Sequence, residues 1–277
     1  MTTALLESIW QQRRSLLSVG LEPCPEYLPS TAEFPATIDG YERALMVIAE
    51  AAAPFAAAYK FNLAYFEALG PEGWAMLKRV RDRLPKGIMV IADAKRGDIG
   101  STAKRYAQAT FEWLNADAVT LSPLMGRDSA EPFLAYSGRL CFFLCLTSNP
   151  GSKDFLDADN LYLKIAREVP RWGAPSQIGL VVGATHPDRA ADIRAAAPHA
   201  PFLIPGVGAQ GGDARSIAAS AQANTAYPAL LFHATRSLLA DAADKDPLAK
   251  VVARKARQHR DAFADAIDAA RKEAAHA

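Results

Sequence analysis

The sequence predicts an α/β fold: one closed (β/α)8 barrel of the TIM-barrel type, a single domain over residues 1–277. Three observations carry that expectation. Eight short apolar runs recur along the chain, and most have a helical stretch between them. The runs are apolar throughout rather than alternating, which suits a parallel sheet buried on both faces. Eight such units fill the ~250 residues that a closed barrel of this kind needs, and no linker or low-complexity tract sets off a second domain.

Taken in order, residues 8–14 read as a polar N-terminal helix and residues 16–21 as the first strand, ending in the loop Glu22-Pro23-Cys24-Pro25. From Asp39, the apolar residues Tyr41, Leu45, Ile48 and Ala52 follow helical spacing. The second strand, residues 55–61, carries Lys60 at its end. Gly70-Pro71 opens a helix with Trp74, Leu77, Val80 and Leu84 on one side. The third strand, residues 87–92, runs into Asp93-Ala94-Lys95-Arg96-Gly97-Asp98-Ile99, and a helix is expected from Asp98 to about residue 114. Strands four to eight are residues 117–121, 141–146, 178–183, 201–204 and 229–233. Helices are expected over residues 161–171, from Pro187, and after the glycine-rich loop that follows strand seven. A long last helix starts near Asp246-Pro247, with aspartate as cap and proline at the first position. Its apolar side is Leu248, Val251, Val252, Ala256, Phe263 and Ile267, and the basic stretch 254–260 reads as its solvated side.

Composition excludes several classes. The net charge is +1, which gives no basic excess for nucleic acid or a membrane surface. Half the residues are hydrophobic, so a large core can form. Three cysteines make no disulfide framework, and Cys141 and Cys145 sit in an apolar run as core residues. No signal-peptide pattern or membrane-length apolar run is present, so a soluble cytoplasmic protein is the expectation.

Barrel enzymes place their chemistry at the carboxyl ends of the strands. Those ends supply Glu22, Lys60, Asp93 with Lys95, Thr147 with Ser148, the loop from Pro205 to Gly212, and Arg236. Alternation along a strand puts Asp93 and Lys95 on one face, with Asp98 just beyond a glycine turn. Taken alone, such a charge cluster reads more readily as a solvated loop than as a site. At a strand end it suits catalysis, because desolvating it requires a partner for each charge. A lysine held between carboxylates stays protonated, which favours an acid over an imine-forming nucleophile. The carboxylates could also bind Mg²⁺, with the lysine competing for them. Glycine-rich backbone, a following helix N-terminus and Arg236 together suit a phosphate, commonly held after strands seven and eight. His186, His199 and His233 show no metal-ligand spacing and read as core or surface residues. No P-loop or dinucleotide glycine motif is present.

These segments resemble the orotidine 5′-phosphate decarboxylase family, in its longer bacterial subgroup. The matching motifs are Tyr59-Lys60-Phe61-Asn62, Asp93-Ala94-Lys95-Arg96-Gly97-Asp98-Ile99 with Thr102, Ser148-Asn149-Pro150-Gly151, Val182-Gly183-Ala184-Thr185, Pro205-Gly206-Val207-Gly208-Ala209-Gln210-Gly211-Gly212, and Arg236-Ser237. The resemblance implies a cofactor-free and metal-free conversion of orotidine 5′-phosphate to UMP and CO₂. It casts Lys95 as the acid that protonates C6, Asp93 as the carboxylate beside the leaving group, and Lys60 as a ribose ligand. Ser148, Pro205, Gln210 and Gly211 would close over pyrimidine and phosphate, and Arg236 would bind the phosphate. Asp98, Ile99 and Thr102 would come from the partner subunit, which implies a homodimer. Glu22 stands where the family usually has a ribose-binding aspartate. Two other readings stay open: a Mg²⁺-dependent sugar-phosphate decarboxylase on the same barrel, such as one acting on 3-keto-gulonate 6-phosphate, and a non-catalytic phosphometabolite binder.

Overall fold

A computed structural model describes residues 2–29, 31–207, 212–222, 226–240 and 246–276. Eight parallel strands close a barrel in chain order: β1 (Leu17–Gly20), β2 (Ala58–Asn62), β3 (Met89–Arg96), β4 (Ala118–Leu121), β5 (Leu140–Leu146), β6 (Ile178–Val182), β7 (Phe202–Ile204) and β8 (Leu230–Ala234). β1 closes the ring by pairing with β8 in the register Leu17–Phe232, Ser18–His233 and Val19–Ala234. The helices are α1 (Thr2–Arg13), α2 (Ile38–Ala52), α3 (Leu63–Glu67), α4 (Gly70–Arg83), α5 (Gly100–Gln108), α6 (Arg127–Leu134), α7 (Leu161–Glu168), α8 (Pro187–Ala196), α9 (Ala214–Ala221), α10 (Arg236–Leu239) and α11 (Leu248–His276). The expected (β/α)8 barrel is the observed fold.

Alternation explains how a lysine reaches the interior of an apolar barrel. On β2, Tyr59 and Phe61 face the helical layer: the Tyr59 hydroxyl donates to the Ala49 carbonyl on α2 at 2.6 Å, and Phe61 meets Phe66 of α3 edge-on at 5.6 Å. Lys60 between them therefore points inward. On β8 the same logic applies. Phe232 stacks on Phe263 of α11 at 4.6 Å, and its neighbour His233 faces the barrel axis. All six residues expected on the apolar side of α11 are buried. Each fully buried Val, Leu, Ile or Phe there contributes about 1.5–3 kcal/mol of transfer free energy. Cys141 and Cys145 are core residues, as expected, and burial pushes both thiols up.

The third strand departs from expectation. It does not stop at Ala92 but runs to Arg96, so the charged motif lies inside the strand. The ladder to β4 continues past a register shift between Ala92 and Arg96, with Ser122 N–H donating to the Arg96 carbonyl at 2.8 Å. Lys95 takes a left-handed φ of +47° at this bulge, a conformation costly for a residue with a side chain and typical of functional sites. Nor does the next helix start at Asp98: Ile99 is its N-cap and α5 begins at Gly100. Between β4 and β5 the short α6 carries Pro132 in its interior, which hid its helical period.

Candidate active site

Asp93 is the hub of the site. Its side chain is buried among three groups from three strands. Lys60 Nζ donates to Oδ2 at 2.7 Å, and Lys95 Nζ donates to Oδ1 at 2.6 Å. The Thr120 hydroxyl of β4 also donates to Oδ1, at 2.9 Å, and the Thr120 hydroxyl oxygen in turn accepts the Lys95 backbone N–H at 2.9 Å. Thr120 thus fixes both the carboxylate and the bulged backbone that carries its partner. Burial pushes the Asp93 carboxyl up, but the Lys60 and Lys95 charges, with their hydrogen bonds, outweigh it and hold the group well below the usual carboxylate range. Lys60 is also 3.6 Å from Glu22 Oε1. The second Glu22 oxygen accepts the Tyr27 hydroxyl. Burial and that carboxylate push the Tyr27 phenol up, so it stays a neutral donor. Two carboxylates and two ammoniums therefore form one mutually compensated set, as charges withdrawn from water require. Lys95 differs from Lys60 in access: its side chain is 49% exposed against 5%. It is the more accessible of the two ammoniums.

Two cavities share the walls formed by Glu22, Pro205 and His233. The smaller, about 310 Å³, holds the Lys60–Asp93–Lys95–Thr120 cluster on one side and Thr147, Ser148 and Asn149 on another. The larger, about 620 Å³, is lined by Tyr27, Tyr65, Thr235 and Arg236. Arg236 is the exposed first residue of α10, directly after β8. The lysine–aspartate cluster and Arg236 thus line two adjoining cavities that share three residues.

The strand-seven end needs a correction. Gly206, at φ +93°, turns the chain out of β7, and Gly212 N–H returns to the Gly206 carbonyl at 3.2 Å. The α9 N-terminus is not open to an anion, because Asp213 caps it by accepting Ser216 N–H at 2.8 Å. The anion site expected at that helix end is therefore already occupied by its own cap. Gln210 and Gly211 lie outside the described residues.

Asp98, Ile99 and Thr102 line neither cavity of their own chain. Asp98 Oδ1 accepts the Ile99 N–H at 2.8 Å, and among the described residues no ion pair joins it to Lys95. The expectation that both aspartates flank Lys95 therefore fails within one chain. Sequence reasoning also missed three residues. Thr120 was signalled only by a lone hydroxyl in the apolar run Ala118-Val119-Thr120-Leu121. Tyr27 had no signal beyond its five-residue spacing from Glu22. His233, read as a core or surface histidine, lines both cavities. Its strand-end position was the available clue.

Comparison with known proteins agrees with this geometry. A family model described as orotidine 5′-phosphate decarboxylase / HUMPS family matches residues 15–267. The chain is 45% identical over 272 residues to the orotidine 5′-phosphate decarboxylase of Roseiflexus castenholzii, covering 95% of this chain and 97% of that one. It is 42% identical over 271 residues to the enzyme of that name from Bordetella avium, covering 93% and 96% of the two chains. Among solved structures, the Leishmania donovani OMP decarboxylase superposes with a TM-score of 0.78 at 36% identity, covering 94% of this chain and 99% of that one. The barrel, the charge cluster at its mouth and these relatives agree: the chain belongs to the orotidine 5′-phosphate decarboxylase / HUMPS family.

Proposed function

We propose that this chain converts orotidine 5′-phosphate to UMP and CO₂ in pyrimidine biosynthesis. The observation that carries the reading is the Lys60–Asp93–Lys95 cluster in one cavity, adjoining a second that holds Arg236. Breaking the bond between C6 and the carboxylate leaves an electron pair in the plane of the pyrimidine, where the ring delocalises it poorly. The Lys95 ammonium, fixed by Asp93, stabilises that pair as it forms. Lys95 then transfers its proton to C6 and is reprotonated from water. Asp93 stands beside the substrate's carboxylate, so loss of CO₂ relieves a like-charge contact. Lys60 and Glu22 bind ribose hydroxyls, Ser148 and Gln210 close over the base, and Pro205, Gly211 and Arg236 enclose the phosphate.

Enzymes lower barriers by ~8–23 kcal/mol, more than one ion pair supplies. Binding of the phosphate, remote from C6, provides part of the remainder by holding the site closed. The site is completed in a homodimer, with Asp98, Ile99 and Thr102 reaching the partner's mouth. What supports this is an apolar surface beside that segment: Ile99, Leu124 and Met125 are 50%, 60% and 48% exposed. Single large apolar side chains at a surface are common, but three on adjacent strand-end loops suit a protein contact. No described helix is long and apolar enough to cross a membrane, and a cytoplasmic location is part of the same proposal.

The test is the ultraviolet absorbance of orotidine 5′-phosphate mixed with the purified protein in excess EDTA. Rapid conversion to UMP is the expected result. No conversion, with activity on a sugar phosphate only after Mg²⁺ is added, would instead establish the sugar-phosphate decarboxylase.

A further inference from the structure

Among the described residues, His233 is the one histidine lining these cavities, and the chemistry above does not use it. Its ring bridges two hydroxyls: Nδ1 lies 3.2 Å from Ser18 Oγ on β1, and Nε2 lies 3.0 Å from Thr235 Oγ1 just past β8. A neutral imidazole has one donor and one acceptor nitrogen, and a hydroxyl can answer either. Burial, then the nearby Lys60 charge, push the His233 pKa well below its usual value, so the ring is neutral and satisfies both partners. The Thr235 side chain is itself seated in a notch of β1. A Cβ at Gly20 would lie 1.9 Å from Thr235 Oγ1, so glycine there is what admits the hydroxyl. Thr235 is also the N-cap of α10, whose first residue is Arg236. The turn that carries Arg236 is therefore tied to β1 by one side-chain chain, Ser18–His233–Thr235.

We propose that His233 is a positioning residue for phosphate recognition: through Thr235 and the Gly20 notch, it holds Arg236 in place to bind the phosphate of a nucleoside monophosphate. The inference rests on the decarboxylase reading only for the identity of that ligand. It assigns to β8 a role distinct from the β2–β3 cluster. The cluster meets the reacting atoms, whereas His233 acts on a remote group through its neighbour.

The experiment measures binding of UMP and of uridine, which lacks the phosphate, by calorimetry. His233→Leu is expected to weaken UMP binding about tenfold, the net value of a well-placed hydrogen bond, and to leave uridine binding unchanged. His233→Asn, which restores amide hydrogen bonding, should recover most of the loss. Thr235→Val removes a single hydroxyl, provides the same test should the leucine variant not fold, and should weaken UMP alone by a smaller factor. In an Arg236→Ala background His233→Leu should cost nothing more, because residues acting through one another are non-additive. Equal loss of UMP and uridine, or the same loss with and without Arg236, would overturn the inference. So would a wild-type protein that binds UMP no better than uridine. A wild type that prefers UMP but does not turn over orotidine 5′-phosphate would overturn the proposed function alone.

Discussion

Asp93 and Asp98 stand five residues apart in one motif and have opposite surroundings. Asp93 is buried, accepts hydrogen bonds from three side chains and organises two lysines. Asp98 is half-buried and accepts only its neighbour's backbone N–H among the described residues, next to an exposed Ile99. The bulge at Lys95 and the end of β3 at Arg96 separate them. The difference teaches that a contiguous sequence motif need not be a contiguous site. Its first half builds the interior of one barrel mouth, and its second half is presented outward, where our reading gives it to a second chain.

Substitutions should expose that division. The largest kinetic effect is expected from Lys95→Ala: removing a general acid and a fixed charge together should lower kcat by about 10⁴-fold or more, followed as loss of substrate absorbance. Asp93 keeps Lys60 and Thr120, so the melting temperature should barely change. Asp93→Asn should instead damage the fold as well. Lys60, 5% exposed, loses its compensating charge, and breaking a buried pair in this way costs about 3–5 kcal/mol, read by chemical denaturation. Asp98→Ala should abolish turnover while leaving monomer stability near wild type.

The pH dependence of stability sharpens the same contrast. The Asp93 carboxyl is lowered in the folded protein, so below the unfolded carboxylate value of about 4 the unfolded chain takes up the proton first. The stability this group contributes is full above that pH and is lost as pH falls further. Thermal melts from pH 6 to 3 should show the loss in wild type and a flatter profile in Asp93→Asn. In the adjoining cavity, Arg236→Ala should lower kcat/KM about 10²-fold, the scale of a charge-assisted pair of hydrogen bonds. The smallest effect belongs to Tyr27→Phe, which deletes one donor to Glu22 and should raise KM about fivefold.

The barrel was legible because the buried parallel strands are largely apolar runs. Lys60, Asp93 and Arg236 were legible because strand ends meet at one mouth. What escaped reading were contacts made sideways between strands. Thr120 looks like any β-branched strand residue until β4 is registered against β3. His233 looks like a core histidine until closure of the ring sets it beside Ser18. The strand-three boundary was misjudged because a charged run looks like a loop, whereas a bulge and paired charges let the ladder continue. Asp213 turned the expected anion site at α9 into a capped helix end, a local hydrogen bond that composition does not announce.

The division of the motif is tested most directly by mixing. Lys95→Ala and Asp98→Ala chains, each inactive alone, are combined under conditions where subunits exchange. Half of the dimers formed at random are hybrids, and one of the two mouths in each has both groups intact. Turnover should then return to about one quarter of wild type, as two-fold symmetry dictates. No recovery, with subunit exchange demonstrated by a tag or mass label, would contradict the shared site and return Asp98 to a role within its own chain.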